Sequence, residues 1–142
     1  MIKQSIADTG VIVAFLDKRD YWNDWTIEQM THLPIPFLTC EAVIVEACFL
    51  VAHLQDGKKS VLKLVSSGVL QIEFSLQSEI ESIETLMKKY KDVPMDFADA
   101  CLVRMSELIE NSVVFTVDGN FRIYRKYSKK VISLIIPNPI QN

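Results

Sequence analysis

At 142 residues, 49% of them hydrophobic and 23% charged, the chain holds enough apolar side chains for one core and too few residues for two. A single domain spanning residues 1–142 is therefore expected, and a disordered tail is excluded; four glycines and five prolines with no glycine-rich stretch likewise rule out collagen-like and low-complexity chains. The formal charge of −3 argues against a uniformly basic nucleic-acid surface, although a pocket of carboxylates loaded with cations reverses its sign locally and still receives phosphates.

The first strand is predicted at Gln4 to Ala7, followed by Asp8-Thr9-Gly10 and a helix over the apolar run 11–16. Asp20 or Asn23 stands near the start of a second helix carrying Trp22, Trp25 and Met30, which Pro34 and Pro36 terminate. Together with Tyr21, these tryptophans either pack the early helices onto the sheet or form a contact face. Phe37 to Thr39 is a brief extended segment. The run from Glu41 is too long for a strand and reads as a mostly buried helix capped by Gly57. Lys58 to Ser67 is a further helix stopping at Gly68, and Val69 to Phe74 alternates as a strand does. Ser78 and Glu81 form a capping box for a helix whose one face is Ile80, Ile83, Met87 and Tyr90. Asp96 caps the next helix, with Asp99 in its first turn, through about Glu110. Ser112 to Val117 and Val131 to Ile136 are β-rich, and the basic stretch FRIYRKYSKK between them is expected to be a short helix or loop.

Alternation of this kind implies an α/β fold of three layers, a central parallel sheet of about five strands between helices. Its functional crevice then lies beyond the carboxyl ends of the strands. The cysteines Cys40, Cys48 and Cys101 are odd in number and embedded in apolar sequence, as small core residues of a reducing compartment are. With only His32 and His53 beside them, a Cys/His zinc site lacks ligands. No signal-peptide pattern opens the chain, and the longest apolar run, Ala42 to Ala52, is broken by Glu46, so a cytoplasmic protein without membrane contact is expected.

Four carboxylates stand apart from the solvated ones. Asp8 ends the first strand, Glu46 lies among apolar helix residues, Asp99 opens a helix, and Asp118 ends a strand. Taken singly, Asp8 and Asp99 have capping or first-turn roles, Asp118-Gly119 makes a turn, and Glu46 pairs with a distant arginine such as Arg104. Taken together, convergence of four acids is tolerable only with hard divalent cations between them, and Mg²⁺ or Mn²⁺ is the implied cofactor.

The spacing of Ile6-Ala7-Asp8-Thr9, Thr39 with Glu46 seven residues on, Asp99-Ala100-Cys101-Leu102, and Thr116-Val117-Asp118-Gly119-Asn120-Phe121 resembles the PIN-domain family of nucleases over residues 5–136. The resemblance implies a Mg²⁺- or Mn²⁺-dependent endoribonuclease with Asp8, Glu46, Asp99 and Asp118 forming the acidic pocket. Many small members are VapC-like toxins of toxin–antitoxin pairs, homodimers neutralised by a small partner, so RNA, an antitoxin protein and a second copy are the implied partners. Asn120 stands where relatives often carry another Asp, and Asp96 departs from the small or hydroxyl residue often found there; Asp96 is either an outer carboxylate or a helix cap. Thr9, Thr39 and Thr116 sit beside pocket positions, where hydroxyls orient carboxylates or water, or simply suit strand ends.

In this scheme Asp8, Asp99 and Asp118 are ligands, and Glu46 acts through water or as general base. Arg122, Arg125, Lys126, Lys129 and Lys130 supply positive charge four residues beyond Asp118 to take RNA phosphates, with Tyr124 and Tyr127 as stacking candidates. The competing arrangement is a solvated crossover with Phe121, Ile123 and Tyr124 turned inward. Among other classes, a phosphoacceptor receiver lacks its paired acids and its lysine before the final proline. A dehalogenase-like phosphatase lacks its second Asp, since that position is Gly10. A non-catalytic PIN-like module binding RNA or protein is the remaining alternative.

Overall fold

The computed structural model describes residues 3–138. A parallel sheet is built from β1 (Gln4–Ala7), β2 (Phe37–Thr39), β3 (Leu70–Ile72), β4 (Ser112–Phe115) and β7 (Leu134–Ile135), in the spatial order β3-β2-β1-β4-β7. Six helices flank it among the described residues: α1 (Thr9–Leu16), α2 (Asn23–Met30), α3 (Glu41–Leu50), α4 (Gly57–Ser66), α5 (Leu76–Lys89) and α6 (Phe97–Leu108). The result is the three-layer α/β arrangement that strand–helix alternation requires. No helix among the described residues is long and apolar enough to cross a membrane.

The central strands β1, β2 and β4 are buried on both faces, which explains why they read as apolar runs. Ala7, Phe37 and Phe115 meet Val11 and Ile12 of α1 and Leu64 of α4 on one side. Their neighbours Ile6, Leu38 and Val114 turn to the opposite side and are likewise buried. Trp25 of α2 lies against Phe115 at 5.7 Å between ring centroids, whereas Tyr21 is 72% exposed and meets Trp22 edge-on. The aromatic residues therefore divide: Trp25 packs the helix onto the sheet, and Tyr21 stands out in solvent.

Several expected boundaries shift. The long helix from Glu41 ends at Leu50, and Gly57 opens α4 instead of capping α3. A Cβ at Gly57 would sit 2.0 Å from the carbonyl oxygen of Val51, so the chain reverses there only because the side chain is absent. Helix α5 begins one turn earlier than the predicted capping box: Ser75 is the cap and accepts from the Ser78 amide at 3.3 Å. Its buried face is accordingly Ile83, Leu86 and Tyr90, while Ile80 and Met87 are open to solvent. The strand predicted at Val69 to Phe74 is only three residues long, because it lies at the sheet edge and pairs with β2 alone.

The largest difference is in the basic crossover. A 3₁₀ turn (Gly119–Arg122) leads into an antiparallel hairpin, β5 (Arg125–Lys126) with β6 (Lys130–Val131), whose turn holds Tyr127 and Ser128 at positive φ. Val131 thus belongs to the hairpin, and the last sheet strand is reduced to Leu134–Ile135. The hairpin is pinned by buried Glu107 of α6, whose Oε2 accepts from the Tyr127 amide at 2.6 Å and whose main-chain carbonyl accepts from the Tyr127 hydroxyl. Glu107 is thus the anchor of the hairpin.

Candidate metal centre

Strands β1 and β4 are neighbours in register, Ala7 opposite Phe115, yet the chain visits β2 and β3 between them. This is the point where strand order reverses, the place at which open parallel sheets present a crevice. Asp8 follows β1 directly and donates its amide to the Phe115 carbonyl at 3.0 Å; Thr116 follows β4. Helix α6 starts at the same edge and brings Asp99 there in its first turn. One carboxylate oxygen from each of Asp8, Asp99 and Asp118 lies within 4.8 Å of the other two.

Each acid is held by local chemistry. Asp8 caps α1, its Oδ1 accepting from the Thr9 amide at 2.7 Å, and its Oδ2 accepts from the Thr116 hydroxyl at 2.6 Å. The same Thr116 oxygen accepts from the Asp118 amide at 2.9 Å, so one hydroxyl ties two of the three acids together. Asp118 caps the 3₁₀ turn through the Asn120 amide at 2.9 Å. Asp99 Oδ2 accepts from the Tyr124 hydroxyl at 2.9 Å, and the Asp99 amide donates to Asp96 Oδ1 at 2.7 Å. Gly10 lets this corner close: a Cβ there would stand 2.7 Å from Val117 Cγ2.

The electrostatics are those of crowded, dry acids. Burial, with the charges of Asp118 and Asp96 adding to it, pushes Asp8 up to about 6 against the opposing hydrogen bonds from Thr116 and Thr9. Asp99 is pushed up to about 8 by burial and by the charges of Asp96, Asp8 and Asp118, with the Tyr124 hydrogen bond opposing. None of the three acids has an ion-pair partner among the described residues. Three hard oxygen donors with no counter-charge fit a divalent ion: bonds of about 2.0–2.6 Å to a central cation require nearly this spread of oxygens. The donor set has no sulfur or imidazole and suits Mg²⁺ or Mn²⁺.

Glu46 stands outside this group of three. It is half-buried on α3, and partial burial, then the charges of Asp96 and Asp118, raise its pKa. Its helix is less enclosed than the apolar sequence suggests, with Val45 and Phe49 70% and 78% exposed. Arg104 is not its partner, being engaged by Glu79 at 2.7 Å and Glu107 at 3.1 Å.

The remaining polar candidates separate by position. Thr39 donates to the Ala7 carbonyl at 3.0 Å and braces β2 against β1. The Thr9 hydroxyl is buried without a hydrogen-bond partner among the described residues. Asp96 caps α6, and Asn120 reaches the Pro94 carbonyl through its side chain at 3.4 Å. Arg125 turns its guanidinium back onto the carbonyls of Arg122, Ile123 and Tyr124, and Arg122 donates to the Pro137 carbonyl. Lys129 and Lys130 are exposed on the hairpin; Lys126 is half-buried. Tyr124 is fully buried, which removes it as a base-stacking residue, while Ile123 faces solvent. The contact of Tyr124 with Asp99 was the feature that sequence reasoning missed; nothing in an aromatic residue within a basic run signals it.

No protein-family model matches the sequence, and no curated protein matches it. A solved structure does: VapC20 of Mycobacterium tuberculosis, described as a sarcin-ricin loop cleaving toxin, superposes with a TM-score of 0.70 at 16% identity, over 82% of this chain and 92% of that one. The chain has a VapC-like PIN fold. The likeness is one of architecture, and the acidic corner described above stands on its own geometry.

Proposed function

We propose that the protein is a Mg²⁺- or Mn²⁺-dependent endoribonuclease, the toxin of a toxin–antitoxin pair, acting in the cytoplasm. The observation that carries this reading is the convergence of Asp8, Asp99 and Asp118, without an opposing cation, at the reversal point of a VapC-like sheet. The description of the structural neighbour as a toxin cleaving the sarcin-ricin loop supports RNA cleavage and the toxin role. A non-catalytic module would leave the three acids with nothing to neutralise them.

In this reading Asp8, Asp99 and Asp118 would hold the ion, which would supply positive charge for the phosphodiester and lower the pKa of a nearby water. Thr116 fixes Asp8 and the Asp118 backbone so that two ligands move as one. Glu46, whose proton affinity is raised, takes the proton from water at the rim of the site. Lys129 and Lys130, with Lys126, Arg122 and Arg125 behind them, draw the RNA backbone to the hairpin beside the acids. A groove of about 760 Å³ between α3, α5 and α6, walled by Val45, Leu76, Ile80 and Phe97, offers apolar surface for the small antitoxin, and exposed Phe49 and Leu50 of α3 offer apolar surface for a second copy in a homodimer.

The test is cleavage of a single-stranded RNA by the purified protein with Mn²⁺, with Mn²⁺ plus chelator, and with Asp8→Asn and Asp118→Asn. Cleavage is expected with Mn²⁺ alone, and both variants are expected to be inactive yet folded by circular dichroism. Cleavage that survives chelator, or persists in both variants, contradicts the reading.

A further inference from the structure

The hydroxyl of Tyr124 lies 2.9 Å from Asp99 Oδ2 and 3.0 Å from the carbonyl oxygen of Pro94. A phenol has one hydrogen to give, and an ionised carboxylate is the stronger acceptor of the two. The ring has no freedom to leave this contact. It is 0% exposed and wedged edge-on between Tyr90 and Phe121, with centroids 5.2 Å away in each case. Tyr90 is itself fixed, because its hydroxyl accepts from the Arg125 amide at 2.9 Å.

The terminal torsion of an aspartate is broad, so a carboxylate with one oxygen bonded is oriented where an unbonded one samples many angles. Asp8 receives this service from Thr116, and Asp99 receives it from Tyr124. Asp99 has no other side-chain donor among the described residues, and its own amide is occupied by Asp96. The second buried acid of the cluster therefore depends on a residue that lies beyond the 3₁₀ turn, directly before the basic hairpin.

We infer that Tyr124 is a positioning residue for the metal centre: its hydroxyl holds Asp99 in the orientation that divalent cations require, and so sets the affinity of the site. The inference rests on the proposal that Asp8, Asp99 and Asp118 hold a divalent ion, and it adds a positioning residue to that site. It also ties the hairpin to the acids mechanically, since Tyr124 and Arg125 are consecutive and their anchors are Asp99 on α6 and Tyr90, the residue that ends α5.

The experiment is calorimetric titration with Mn²⁺, without RNA, of the unmodified protein, Tyr124→Phe and Asp99→Asn. Phenylalanine keeps the ring and removes only the hydroxyl. The unmodified protein is expected to bind; Tyr124→Phe is expected to bind about 10- to 100-fold more weakly, as losses of groups that orient metal ligands do. Tyr124→Phe is expected to retain its thermal midpoint in chelator within a few degrees, which a purely structural role would not allow alongside lost affinity. Affinity of Tyr124→Phe within twofold of the unmodified protein overturns the inference and leaves the metal site standing. Absence of Mn²⁺ binding by the unmodified protein removes both. Should Tyr124→Phe not fold, the native sequence carrying 3-fluorotyrosine serves instead. Its Tyr124 fluorine resonance is expected to shift on saturation with Mg²⁺ while that of exposed Tyr21 stays in place, and an unmoved Tyr124 resonance overturns the inference.

Discussion

Burial and like charge act on Asp8 and Asp99 in the same direction, and this gives the metal-free protein a distinctive pH response. Both groups bind protons more tightly in the folded chain than at the ordinary value of 3.8. Between 3.8 and about 6 for Asp8, and up to about 8 for Asp99, the folded state therefore holds more protons than the unfolded one. Stability must fall as pH rises through that window, by about 1.4 kcal/mol per pH unit for each group while it titrates. The thermal midpoint in chelator is expected to drop between pH 5 and pH 8, and saturating Mg²⁺ to flatten the drop, because the ion binds the deprotonated carboxylates. A midpoint in chelator that is flat or rises over this range contradicts the picture of uncompensated acids. Of these residues, Asp8, Asp99 and Asp118 announce themselves in the sequence by falling at strand ends and a helix start. The enclosure of Glu46 was overestimated because its apolar neighbours Val45 and Phe49 belong to a face of α3 that is left open among the described residues. An apolar run cannot reveal which of its sides meets the core.

Among the elements, the β5–β6 hairpin carries the most consequence and was the least legible. The four positive charges of the hairpin, and Arg122 in the turn before it, are visible, but whether their side chains are available depends on backbone geometry that composition does not encode. Arg125 spends its guanidinium on the carbonyls of Arg122, Ile123 and Tyr124, whereas Lys129 and Lys130 have no ion pair among the described residues. The lysines at the hairpin tip are therefore expected to contribute more to RNA affinity than Arg125. Replacing Lys129 and Lys130 together by alanine should weaken binding of single-stranded RNA and lower the slope of log affinity against log salt by about 1.4, at roughly 0.7 per phosphate contact. An unchanged slope would place the RNA path elsewhere. Helix boundaries failed for a related reason: Ser75 and Ser78 are both competent caps, and the earlier one is used, so the helix gains a turn.

At the scale of the whole molecule, the order of strands and helices in the sequence was enough to predict a parallel three-layer architecture, since apolar β-rich runs separated by helical ones admit few other solutions. The order also placed Asp8 and Asp118 at the same sheet edge, because strands that run in parallel present all their carboxyl ends together. What it did not show is the support around them. Tyr124 reaches Asp99 because Tyr90 and Pro94, distant in sequence, and nearby Phe121 close around it. The fold shared with VapC20 at 16% identity is consistent with this division: architecture survives where individual side chains do not.

The central claim is that Asp8, Asp99 and Asp118 surround one cation position. Diffraction from crystals soaked in Mn²⁺, recorded at the manganese absorption edge, tests it without reference to any substrate. An anomalous peak within about 2.0–2.6 Å of an oxygen from each of the three carboxylates is the predicted result. A well-occupied peak elsewhere with none between these acids, or no peak at all in crystals soaked at saturating Mn²⁺, would contradict it.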